Sequence, residues 1–244
     1  MFSISSSLLY RWTLVWQDCF LSFTYDRPPS HSLGRISDLP SPKDSNGLSF
    51  EDCVFRICQL TLDQPSLTTS EQAFRVQHQF DNISESAAPF LTSATRCTSF
   101  QQQLERLAFQ IHLGYAICRM YRIYLDQCSI QNTAIAEDCQ KRAKSVIAAF
   151  LDLHRLSRAV CRSWAFVHNA VSAAITLHYL RSDANKINGE DVSFSDTSHA
   201  LVRKLVSVLQ RESEQSQWRD ADDNVRYFGP FSRALNALEE TYTK

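Results

Sequence analysis

The sequence predicts an all-α protein, an irregular multi-helix bundle of about seven to nine helices with a long Pro/Ser-rich loop after the first. Three observations lead there. No proline occurs between Pro89 and Pro230. Of the five glycines, four (Gly34, Gly47, Gly189 and Gly229) fall in polar stretches. Apolar residues recur at steps of three and four, and no run alternates for long in the manner of a strand.

The first helix is expected over about residues 7–25, where Leu8, Trp12, Val15, Cys19 and Ser22 share a face. Pro28 and Pro29 end it, because proline disfavours helix in the residue before it. Residues 28–48 are rich in Pro, Ser and Asp and lack a hydrophobic period, so they read as a surface linker. Helices are expected at 49–62, with Ser49 as cap, and at 68–84. Ser99 and Gln102 have capping-box spacing, and from there Phe100, Leu104, Leu107, Ile111, Tyr115 and Cys118 mark the longest helix, reaching about residue 127. The next starts near Thr133, with Cys139, Ala143, Val146, Ile147, Phe150, Leu153 and Ser157 inward. Another spans 163–181, followed by a polar loop at 182–195, a helix near 197–214 and a short one near 231–242. The whole, 1–244, reads as a single helical domain.

The chain has 244 residues, 44% apolar and 21% charged, with a formal net charge of −1. That length can bury roughly 70–75% of the unfolded surface without a metal or disulfide. Near-neutral charge supplies no global field for nucleic acid. Eight cysteines are spread through apolar patterns, which suggests reduced thiols used in packing and an intracellular setting. Cys53 and Cys58 are five apart, on different sides of a helix. Positions 163–180 carry no Asp, Glu, Lys or Arg but include His168, Asn169 and His178, which marks an amphipathic or buried helix rather than a membrane span.

Reaction motifs are missing. There is no GxxxxGK[ST], GxGxxG, GxSxG or HExxH. The cluster Asp220, Asp222 and Asp223 has the residue type that holds magnesium against a diphosphate, as in α-helical isoprenoid enzymes, but no second metal motif accompanies it. The bland reading is a solvated loop between two helices. The histidines do not cluster, so His154, His168 and His178 read as hydrogen-bonded core residues. Lys141, Lys144, Arg155, Arg158 and Arg162 fall on one side of a helical projection. An ordinary solvated face is the simple account, and a docking strip for an acidic partner is the functional one.

Two stretches resemble a known family. The run Arg11-Trp12, Trp16, Asp18, Ser22, Arg27-Pro28 is similar to a recurrent segment in the regulatory region of fungal binuclear zinc-cluster transcription factors, the middle homology or fungal-specific transcription factor domain. Asp26 stands where that family has Gly. The later stretch Arg162-Ser163-Trp164, His168, Ser172 resembles a second segment of the same domain. The resemblance implies a non-catalytic regulatory domain controlling RNA polymerase II transcription, nuclear, with Asp18 pairing to Arg11 or Arg27. It implies zinc and DNA binding only through an N-terminal cysteine cluster. With no C-x2-C in this chain, no such cluster can be assigned here, and the chain reads as the C-terminal part of the family domain. Implied partners are a second copy, transcription co-regulators or a small-molecule effector, and not a membrane. The remaining alternatives are the magnesium-dependent isoprenoid-type enzyme and a helical protein-interaction scaffold.

Overall fold

The computed structural model describes residues 18–19, 21–22, 47–62, 69–128, 133–188, 196–215, 217–219, 225–227, 235–236 and 238. Seven α-helices are named among them: α1 Phe50–Leu62, α2 Ser70–Ser86, α3 Pro89–Thr92, α4 Phe100–Cys128, α5 Thr133–Leu156, α6 Trp164–Asn188 and α7 Asp196–Gln215. Two 3-10 turns join them, η1 Ala94–Arg96 and η2 Arg158–Arg162. The fold is an all-α multi-helix assembly, as the spacing predicts.

Local chemistry sets the helix starts. Ser49 caps α1: its Oγ accepts from the Asp52 amide at 3.2 Å, and the Asp52 carboxylate accepts from the Ser49 amide at 3.3 Å. Thr69 and Gln72 form a full capping box on α2. At α4 the Ser99 Oγ takes the Gln102 amide at 3.2 Å, while the Gln102 side chain reaches the Thr98 amide at 2.7 Å. The reciprocal arm of that box is therefore shifted one residue upstream.

Helix α4 is the central element, and α1, α3, α5 and α6 all pack on it. From Leu107 to Tyr121 almost every side chain is buried, so it is apolar on most of its circumference rather than along one stripe. Helix α5 lies along it and turns in Cys139, Ala143, Val146, Ile147, Phe150 and Leu153, all buried as the periodicity predicts. The close approach rests on Gly114, where an added Cβ would lie 2.6 Å from Val146 Cγ2. Helix α6 packs on both α4 and α5, and α7 lies against α5.

Cys53 sits in the main core, whereas Cys58 joins Cys19 and Val54 in a smaller cluster, so the two thiols do point to different sides of α1. Burial, reinforced by the Asp52 charge, pushes the Cys53 thiol up to about 12, which makes it a packing group rather than a nucleophile.

Four boundaries differ from expectation. Leu48, assigned to the surface linker, is buried; its amide donates to Ser86 O at 2.7 Å, its carbonyl accepts from Ala88 N at 2.9 Å, and it bridges Ala87. Gly47 makes this approach possible, with φ +84 and Ala87 O only 2.9 Å from where a Cβ would stand. Helix α6 continues to Asn188, because residues 182–188 contain neither glycine nor proline to stop it. Ser157 is not on α5: its extended backbone (φ −151, ψ 113) separates α5 from η2. Finally, residues Gln217–Arg219 and Val225–Tyr227 pair as a two-stranded antiparallel ribbon, β1 and β2, where a simple helix-to-helix loop is expected. Asp220, Asp222 and Asp223 lie outside the described residues, as does most of 231–242. Among the described residues of that last segment, Leu235 and Leu238 are helical and buried.

Candidate functional site

The two motif stretches fare differently. Arg11, Trp16, Arg27 and Pro28 lie outside the described residues, and with them the expected pairing of Asp18. Asp18 and Ser22 are helical, and Ser22 Oγ donates to the Asp18 carbonyl at 2.6 Å. Ser22 is buried, and Cys19 between them packs on α1.

The second motif assembles a polar knot between α4 and α6. Trp164, His168 and Ser172 are spaced four apart, which places them one above another on the same helix face. The Trp164 indole stacks on the His168 ring, centroids 4.9 Å apart and planes inclined by 18°. His168 Nε2 is 3.2 Å from Ser172 Oγ and 3.1 Å from the Tyr115 hydroxyl of α4. Burial lowers the His168 pKa to about 4, with Arg119 and Arg122 pushing in the same direction. One turn along, His112 is fully buried, 3.3 Å from the Asn169 amide and tilted over Phe166, and burial lowers its pKa to about 3. Both imidazoles are neutral near pH 7. His168 Nε2 thus lies within hydrogen-bond distance of two hydroxyls, one on its own helix and one on α4, so the ring ties α6 to α4. Arg162, at the end of η2, is exposed and takes no part in the knot.

The basic strip does not survive as one helical face. Lys141 and Lys144 lie in the first half of α5 and Arg155 at its end, whereas Arg158 and Arg162 belong to η2, beyond the break at Ser157. Arg155 pairs with Asp152 at 2.9 Å. Arg158 stays exposed, and its Nε donates to Glu212 of α7 at 2.8 Å. His154 Nε2 approaches the same carboxylate oxygen at 3.1 Å. Burial alone would push the Glu212 carboxyl up; the hydrogen bonds from His154 and Arg158 outweigh it and hold the pKa below the usual carboxylate range.

This three-residue brace forms one side of an open groove of about 610 Å³ between the end of α5, η2 and α7. Leu151 and Val208 give it apolar surface; Arg203, Lys204 and Arg211 line the α7 side. Among the described lining residues, five cations (Arg155, Arg158, Arg203, Lys204 and Arg211) thus stand against one carboxylate, Glu212. Sequence reasoning missed the α7 contribution, since Arg203, Ser207 and Arg211 at steps of four signal only a helix face. The strip contributes two of its five members here, Arg155 and Arg158.

Among the described residues no group of three or more His, Cys, Asp or Glu could hold a metal ion, and no helix is long and apolar enough to cross a membrane. Comparison with protein-family models, with curated proteins and with solved structures returns no match for this chain.

Proposed function

We propose that this chain is a non-catalytic regulatory domain of a transcription regulator of the fungal zinc-cluster type, acting in the nucleus. In this reading it works on RNA polymerase II transcription through contacts with co-regulators, a second copy or a small effector. Any zinc and any DNA contact belong to a separate module.

The observation that supports this reading is the use made of Trp164, His168 and Ser172. These three residues of the second resemblance contact one another in series, and His168 reaches Tyr115 across the α4–α6 interface. A motif of that kind specifies how helices pack, which is what a regulatory scaffold needs, rather than a reaction. The test is a fusion of the chain to a heterologous DNA-reading domain over a reporter gene. The fusion should raise or lower reporter output relative to the reader alone, and a His168→Ala chain should lose that effect. Unchanged output with a well-expressed, folded fusion would remove the proposal.

A further inference from the structure

We propose that the groove between α5, η2 and α7 docks an acidic peptide of a partner protein, one in which Asp or Glu residues flank an apolar side chain. Charge is the first argument. The chain as a whole is −1, yet this groove gathers five cations against Glu212, so the excess is local. Arg155 and Arg158 are already engaged by Asp152 and Glu212. Arg203, Lys204 and Arg211 are exposed and make no ion pair with a described residue. Guanidinium groups suit carboxylates because each presents a planar fork of donors.

Shape and lining narrow the occupant. Leu151 and Val208 offer an apolar seat between the charges, which a bare polyanion leaves unused and an apolar anchor fills. None of the described lining residues is Phe, Tyr or Trp, so among them nucleobases find nothing to stack on and single-stranded nucleic acid is disfavoured. The brace of Glu212, Arg158 and His154 fixes the wall, so the free cations of α7 stand on a rigid element. The inference stands apart from any role in transcription.

The experiment uses the full chain and a fluorescein-labelled synthetic peptide with Asp and Glu on both sides of paired leucines, read by fluorescence anisotropy. Binding should weaken as salt rises. Doubly reversed Arg203→Glu/Arg211→Glu protein should bind about tenfold or more weakly, since such charges set steering and affinity at a rim. Lys141→Glu, away from the groove, should bind normally. A peptide with serines in place of the leucines should also lose about tenfold, the scale of one buried aliphatic side chain. Circular dichroism melts confirm that the variants fold, as exposed positions allow. No binding, equal binding by the double variant, or equal binding by the serine peptide overturns the proposal. So does full competition by inositol hexakisphosphate at concentrations where the peptide itself binds no better, which would make the groove a generic anion site. Tighter binding of an oligonucleotide than of the peptide would likewise overturn it.

Discussion

Trp164 lies flat against His168, one helical turn apart, and this stack closes one face of an imidazole whose Nε2 is shared by two hydroxyls. The ring is thereby held from above by an indole, from its own helix by Ser172 and from α4 by Tyr115. Because one nitrogen forms only one strong hydrogen bond at a time, either hydroxyl can stand in for the other. Tyr115→Phe and Ser172→Ala should each cost less than about 1 kcal/mol. The double substitution should cost more than their sum, about 1–3 kcal/mol, because it takes both hydroxyls from the Nε2 of a half-buried ring. Urea titrations of the four proteins measure this directly, and strict additivity would show that the two hydroxyls act independently.

Acid should destabilise the fold through its buried imidazoles. His168 has its pKa lowered to about 4 and His112 to about 3, chiefly by burial. Both therefore bind more protons unfolded than folded at intermediate pH, and stability rises with pH in that window. Their contribution is fully present above the ordinary value of 6.5 and falls progressively as pH drops towards 4 for His168 and 3 for His112. Integrated over the whole window this is on the order of 3 kcal/mol for His168 and on the order of 5 kcal/mol for His112. Denaturant midpoints measured from pH 7.5 downward should decline already near pH 6, and His168→Gln should flatten part of that decline. A flat profile to pH 5 would place both rings in water.

Glu212 ties α7 to the end of α5 through Arg158 and His154. Replacing it with alanine removes the acceptor and leaves two donors facing each other, so Glu212→Ala should cost about 2 kcal/mol. Glu212→Gln keeps an acceptor oxygen and should cost less, about 1 kcal/mol. Because the carboxyl pKa is held below its ordinary value, the brace contributes stability above the unfolded pKa and loses it as pH falls through the folded one. The gap between wild type and Glu212→Gln should thus narrow at low pH, a comparison that thermal melts can follow.

What could be read from the sequence was whatever depends on one helix at a time. The inward face of α5 follows from apolar steps of three and four and is buried as expected, and the spacing of Trp164, His168 and Ser172 already puts them on one face. Their partner Tyr115 lies 53 residues away from His168, and no local pattern announces it. The same limit explains the groove. Arg158 shares a helical projection with Lys141 only if α5 continues, yet the extended backbone at Ser157 breaks it, and Glu212 then captures Arg158 from a helix 54 residues on. Leu48 reads as linker for a related reason: its burial comes from a bridge to Ala87 in another segment, not from a period of its own.

Gly114 provides the sharpest test of how closely α4 and α5 approach. In an exposed helix, Gly→Ala is stabilising by about 1 kcal/mol through backbone entropy alone. Here the new Cβ would lie 2.6 Å from Val146 Cγ2, inside contact distance. Val146 is buried, and a β-branched side chain on a helix has one strongly preferred χ1, so it cannot swing clear cheaply. Overpacking of this kind costs about 1–3 kcal/mol, which exceeds the propensity gain. Gly114→Ala should therefore destabilise the protein. Val146→Ala alone should also destabilise it, by emptying part of the core. In the double variant the new methyl occupies space that the valine vacates, so its loss should be smaller than the sum by about 1 kcal/mol or more. A stabilised Gly114→Ala protein would mean that the two helices stand further apart than the packing requires.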